Sequence, residues 1–259
     1  MSDVVILITG ASGLLGRAAH KKFEAENCLV YGTTCSRTRE HLLHLDLTAE
    51  EEVRALVTRL RPAAVLHCAA VRFPDQVDAD PAAATRLNVE ATRSLCVVAD
   101  AVGAPVLYIS TDYVFDGKQP PYSVTDLPGP VNLYGRTKLL GEQAALAVNP
   151  ETDHNVDLRV LPVEACACGV PQEPELSGVF HWSGKEGLTK YQMVVQMAEV
   201  LGLPHSHIEP NPNPPTSSAV PRPYDTRLDS SRLEALGLGR HTPFRTGIQT
   251  AVRPWLPSA

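Results

Sequence analysis

Tyr134 and Lys138 stand four residues apart in Leu133-Tyr134-Gly135-Arg136-Thr137-Lys138, a spacing that sets both side chains on one face of a helix. An ammonium beside a phenol lowers the phenol's pKa, so Tyr134 could protonate a carbonyl oxygen during hydride transfer. Lys138 would also reach a nicotinamide ribose. The pair follows Ser110-Thr111-Asp112, which closes an apolar run. Thr111 is placed to hydrogen-bond a substrate oxygen, with Ser110 as the alternative.

A second constellation lies near the start of the chain. Gly10-Ala11-Ser12-Gly13-Leu14-Leu15-Gly16 separates a β-branched apolar run from a helical pattern. Glycines there permit a tight turn and let a pyrophosphate approach the N–H groups that open the helix. The end of the second apolar run then selects the dinucleotide. A site for an unphosphorylated ribose carries Asp or Glu at this point. Here Gly32-Thr33-Thr34-Cys35-Ser36-Arg37-Thr38-Arg39 holds no acid. Arg37 or Arg39 would pair instead with a 2′-phosphate through charge-assisted hydrogen bonds, so NADP is the expected cofactor.

These residues need a scaffold that brings strand ends together. Residues 4–9, 29–33, 64–69, 105–110 and 157–161 read as strands, the first of them continuously apolar as a strand buried on both faces should be. Between them lie helical patterns at 14–25, from Thr48 as cap through Glu50, Glu51 and Glu52, from Pro81 onward, and at 132–148. Strand–helix alternation at this spacing predicts an α/β fold, a doubly wound parallel (Rossmann) sheet. Beyond residue 160 the pattern changes. A short strand at 178–183, a helix capped by Thr189 and running to about 201, and a last short helix capped by Asp229 and closed by Gly237 are expected. Seven prolines from Pro204 to Pro223 make the intervening stretch a strap. Residues 1–160 are therefore assigned to a cofactor domain. Residues 161–259 are assigned to a small, shortened domain packed on the first.

The 259 residues carry 23 basic against 29 acidic side chains, a scattered and mildly acidic balance that argues against nucleic acid as a partner. No apolar run reaches the roughly 20 residues of a membrane span, and the N-terminus lacks the basic region of a signal peptide. Six cysteines without disulfide-framework or CxxC spacing suit a reducing, cytoplasmic setting. Cys166-Ala167-Cys168 lacks the partners of a zinc site, and no metal is expected.

With Ser110-Thr111-Asp112-Tyr113-Val114-Phe115-Asp116-Gly117 beside the Tyr134–Lys138 motif, the chain resembles the dTDP-4-dehydrorhamnose reductase family of extended short-chain dehydrogenases/reductases. Within that family His67-Cys68-Ala69-Ala70, Phe180-His181-Trp182-Ser183-Gly184, Thr189-Lys190-Tyr191 and Arg240-His241-Thr242-Pro243-Phe244-Arg245 look like its regulatory branch. That branch binds NADP and associates with the catalytic subunit of methionine adenosyltransferase, tuning S-adenosylmethionine synthesis without performing it. The resemblance implies NADP contacts at Ser12, Gly13, Leu14, Leu15, Cys35, Ser36, Arg37, Asp46, Leu47, Cys68, Arg72 and Tyr134, besides Gly10, Gly16 and Lys138 from the motifs. It also implies an alternative, an NADPH-dependent reductase of a 4-keto-6-deoxy nucleotide sugar using Thr111, Tyr134 and Lys138. Two departures stand out. Ser36 replaces the branch's arginine, leaving Arg37 for the phosphate, and only residues 162–177 separate the fifth strand from the Phe-His-Trp motif, a segment much longer in relatives.

Arg37→Ala is expected to weaken NADP by about 10- to 100-fold, the equivalent of one or two charge-assisted hydrogen bonds, with NAD little changed. Parallel titration with both dinucleotides checks this; an equal loss for both makes Arg37 a surface residue without a role.

Overall fold

Alternating apolar side chains within single strands dictate the layers. The computed structural model describes residues 4–35, 41–148, 178–213, 220–239 and 241–252. In β1 (Val5–Thr9), Leu7 points to one face while Ile6 and Ile8 point to the other. In β4 (Ala64–His67), Val65 and Leu66 divide in the same way. Each face therefore needs its own helices. The first receives Val53, Leu56 and Val57 of α2 (Glu50–Leu60) and Leu95, Cys96 and Ala99 of α5 (Thr92–Asp100). The second receives Ala19 and Phe23 of α1 (Leu14–Ala25).

With β2 (Leu29–Thr34), β3 (Leu43–His44) and β5 (Val106–Tyr108), the strands run parallel in the order β3-β2-β1-β4-β5. This is the doubly wound order in which ligands bind at the carboxyl ends of the strands. The helices α3 (Pro74–Ala79), α4 (Pro81–Thr85) and α6 (Leu133–Leu146) complete the first half. Asp80 caps α4 by accepting the Ala83 N–H, and a π-helical turn (Arg86–Ala91) joins α4 to α5. The fifth predicted strand, 157–161, lies outside the described residues.

Three expectations change. Thr48 does not cap α2: its N–H and hydroxyl both donate to Asp46 Oδ1, so the turn closes one residue early and Ala49 precedes the helix. Residues 178–183 form no strand, because side chains take the backbone groups a ladder would use. His181 Nδ1 donates to Tyr122 O, Arg232 Nη1 to Val179 O, and the Ser183 N–H to Ser230 Oγ. The helix expected to be capped by Asp229 has Ser230 as its N-cap residue, with Asp229 accepting the Ser231 N–H, and it is not the last. The chain continues through α7 (Lys190–Leu201), opened by a capping box of Thr189 and Gln192, and α8 (Ser231–Glu234) to α9 (Phe244–Val252). Phe180 and Leu233 bury themselves against Leu107 of β5, which seats the C-terminal elements on the sheet.

A buried polar chain crosses the strand ends. His67, 1% exposed, meets Thr9 Oγ1 through Nδ1 at 2.6 Å and Thr92 Oγ1 through Nε2 at 3.0 Å. The Thr92 hydroxyl donates to Asn88 O, so the ring must donate from Nε2 and accept at Nδ1. Burial and the nearby Lys138 charge push the His67 pKa down to about 3. An unfolded chain protonates it near 6.5, so its contribution is whole above pH 6.5 and shrinks as pH falls toward 3, by about 1.4 kcal/mol per unit. Thermal melts from pH 7 to 4 are expected to fall more steeply for the native chain than for His67→Gln, whose amide cannot take the proton. Parallel curves would remove His67 as the acid-sensitive group.

Candidate functional site

The first turn of α1 is built for close approach. Gly10 has φ +66°, and a Cβ there would lie 2.8 Å from Ala69 N. At Gly16 a Cβ would lie 2.5 Å from Gly10 O, so any side chain at either position would force the loop off β1 and β4. Gly13 differs. It is the N-cap residue with ordinary extended backbone, it is exposed, and a Cβ would meet only Gly10 O at 3.2 Å. No side chain caps this helix and no acid occupies its first turn. The outward N–H groups and the positive helix end therefore suit an anion. Leu14, 84% exposed, and Leu15 flank the turn, and Ser12 receives the Thr34 hydroxyl at 3.1 Å. A dinucleotide pyrophosphate fits these residues.

The remaining nucleotide-side residues fall along the same strand ends. Cys35 is exposed directly after β2, whereas Ser36 and Arg37 lie outside the described residues. Asp46 is half-buried after β3. Hydrogen bonds from the Thr48 backbone and hydroxyl hold its carboxyl below the usual range, and they occupy Oδ1. Leu47 is buried. Cys68 follows β4, and the Arg72 guanidinium lies 4.0 Å over the Phe73 ring.

Helix α6 brings the candidate catalytic residues to this edge. Asn132 caps it by accepting the Gly135 N–H at 2.8 Å. Two residues on, Tyr134 lies beside Thr111 and meets the Tyr113 ring edge-on, centroids 5.8 Å apart. Thr111 Oγ1 accepts the Tyr113 N–H and donates to Asp112 Oδ1. The structure thus brings Thr111, Tyr134 and Lys138 to one side of the sheet, but it reassigns the ammonium. Lys138, 2% exposed, donates from Nζ to Ile109 O at 2.6 Å and sits 3.9 Å over the Tyr108 ring. Burial raises the Tyr134 pKa; Thr111 and Arg72 are the groups that oppose this. The expected lowering of the phenol by Lys138 is not what the geometry gives, and Arg72 supplies the cationic influence. Burial brings Lys138 itself down to about 7, against the opposing pull of Glu142 and Cys68.

Two residues escaped the sequence reading. Asn88, on the π-helical turn, accepts the Val71 N–H at 2.8 Å. Its amide donates to Val71 O and Thr137 Oγ1, both at 3.1 Å. It therefore locks the loop carrying Arg72 to the helix carrying Tyr134. Nothing in a helical pattern announces this, since the π turn alone rotates Asn88 inward. Glu142, eight residues after Tyr134, accepts the Ser110 hydroxyl. Its i+4 spacing from Lys138 was the available signal. Ser110 is thereby turned toward α6, leaving Thr111 at the phenol. Among the described residues no group of three or more His, Cys, Asp or Glu could hold a metal, and no helix is long and apolar enough to cross a membrane.

The family model of the RmlD substrate binding domain matches residues 4–160 and 163–256. Methionine adenosyltransferase 2 subunit beta of Xenopus laevis is 38% identical over 293 residues, covering 96% of this chain and 87% of its own. A dTDP-4-dehydrorhamnose reductase of Streptomyces griseus is 30% identical over 273 residues, covering 90% of this chain and 88% of its own. A crystal structure of dTDP-4-dehydrorhamnose reductase from Bacillus anthracis in complex with NADP superimposes with a TM-score of 0.74 at 21% identity, covering 96% of this chain and 98% of that one. At that identity the likeness concerns the fold.

Gly13→Asp separates binding from folding. Aspartate is a good N-cap in this backbone conformation, so the melting temperature is expected to hold or rise slightly. Its carboxylate would stand where a phosphate belongs, and like charges at contact cost several kcal/mol. NADP affinity is expected to drop at least about 100-fold; unchanged affinity would remove the helix start as the phosphate site.

Proposed function

We propose, for a chain that belongs to the RmlD substrate binding domain family, that it is a non-catalytic, NADP-binding, cytoplasmic regulatory subunit of methionine adenosyltransferase. The observation that carries this is the 38% identity with methionine adenosyltransferase 2 subunit beta, sustained over 96% of the chain. The match therefore includes the Phe180-His181-Trp182 and Pro243-Phe244-Arg245 segments outside the cofactor half.

The chain's own residues divide the work of holding the dinucleotide. Ser12, Gly13, Leu14 and Leu15 present the α1 N–H groups to the pyrophosphate, as an anion at a helix start requires. Cys35, Ser36 and Arg37 take the adenosine ribose and its 2′-phosphate; Asp46 and Leu47 flank the adenine. Cys68 and Arg72, on the stretch after β4 that Asn88 holds at Val71, would contact the bound dinucleotide. Tyr134 and Lys138 lie at the nicotinamide end.

A second reading has its own support. Thr111, Tyr134 and Lys138 are grouped at the edge of the sheet, and the family includes the 30%-identical reductase. When bound, NADPH supplies a hydride. Tyr134, protonated across the physiological range because burial raises its pKa, can give a proton to a keto oxygen that Thr111 positions. Such a reaction would make the chain a reductase of a 4-keto-6-deoxy nucleotide sugar.

Mixing the folded protein with a methionine adenosyltransferase catalytic subunit tests the first reading. A complex of defined mass, with S-adenosylmethionine synthesis kinetics that change on adding NADP, is the expected outcome. Protein that binds NADP yet forms no complex would overturn it and direct assays to keto-sugar reduction.

A further inference from the structure

A phenol, an ammonium and a carboxyl group on one stripe of α6 meet three consecutive residues beyond β5. Tyr134, Lys138 and Glu142 are spaced i, i+4, i+8, so they stack on successive turns. Tyr134 meets the Thr111 hydroxyl, Lys138 Nζ donates to Ile109 O at 2.6 Å, and Glu142 accepts the Ser110 hydroxyl. The segment Ile109-Ser110-Thr111 is thus pinned residue by residue to the helix. The functional assignments above use the first two contacts and leave the third unexplained.

We propose that Glu142 is the positioning residue of this site: it fixes Ser110, and with it the Ile109 carbonyl and Thr111 hydroxyl that receive Lys138 and Tyr134, from a place one helical turn beyond Lys138. This rests on the reading that Lys138 serves the nicotinamide end of bound NADP. Glu142 is the larger of the two influences that oppose the burial of Lys138, Cys68 being the other. Lys138 faces the Tyr108 ring from β5, His67 from β4, Cys68 just beyond it, and Tyr134 and Glu142 from its own helix. His67 stays neutral down to about pH 3, and burial drives Tyr108 well above its ordinary range. Glu142 is the carboxylate among them. Burial lifts it to about 7, while the Ser110 hydrogen bond and the Lys138 charge pull it back.

The test follows NADPH affinity from pH 6 to 9 in the native chain, Glu142→Gln and Ser110→Ala. The native affinity is expected to weaken as Lys138 loses its proton. In Glu142→Gln that midpoint should fall by about one unit, making binding about tenfold weaker near pH 8 and nearly native at pH 6. Ser110→Ala removes only the hydrogen bond that favours the carboxylate, so its midpoint should move the same way by less. Native-like midpoints in both variants, or a loss that is uniform across pH, would overturn the positioning role. If Glu142→Gln fails to fold, Ser110→Ala decides alone. A native chain that binds no NADPH at any pH would instead overturn the cofactor reading itself.

Discussion

A neutral imidazole joins the parts of this molecule that must not move relative to one another. His67 ends β4, receives the Thr9 hydroxyl from the end of β1, and donates to Thr92 on α5. Thr92 passes the chain on to the Asn88 carbonyl, and the Asn88 side chain reaches both the loop after β4 and Thr137 of α6. Six segments meet through five side chains, all of them buried. Hydrogen bonds there are strong, and an unpaired group costs the full desolvation of its donor or acceptor. That asymmetry fixes the carboxyl edge of the sheet: no member can swing away without orphaning the next.

Rigidity at that edge explains how ionisable groups survive beneath it. Lys138 is nearly inaccessible to solvent, and a buried ammonium is tolerated only when paired and hydrogen-bonded. It donates to the Ile109 carbonyl and sits over the Tyr108 ring, with Glu142 one helical turn further along α6. The same burial that brings Lys138 toward neutrality lifts Glu142, so the two groups oppose each other's displacement. Groups poised near neutral pH at a strand-end cleft are the arrangement from which binding and proton transfer are commonly built.

The layered fold was legible because its signals are local and repeated. Leu7 against Ile6 and Ile8, the glycines at 10, 13 and 16, and the capping box at Thr189 each state their conformation within a few residues. The grouping of Thr111, Tyr134 and Lys138 was legible too, since helical spacing and strand ends foretell it. What escaped depends on long-range pairing. Residues 178–183 have strand composition, yet Tyr122, Ser230 and Arg232 take their polar groups. Asn88 points inward only because the helix widens by one residue there. Thr48 cannot cap α2 because Asp46, two residues earlier, takes both its N–H and its hydroxyl, and no side chain caps that helix. The direction of the Tyr134 shift was misjudged because spacing reports proximity but not burial, and burial is the larger effect.

The C-terminal half is tied to the same edge by the proline-bearing strap. Asn132 does two jobs: its Oδ1 caps α6 and its Nδ2 donates to Pro221 O at 2.8 Å. Thr226 donates to Asp112, next to the threonine that meets the phenol. Tyr122 exchanges backbone hydrogen bonds with the strap on either side, receiving at its carbonyl the Asp229 N–H and giving its own N–H to Arg227 O. A displacement of the strap therefore strains the cap of the helix that carries Tyr134, Lys138 and Glu142. The cap at Asn132 therefore joins the start of α6 to the C-terminal half through a single side chain.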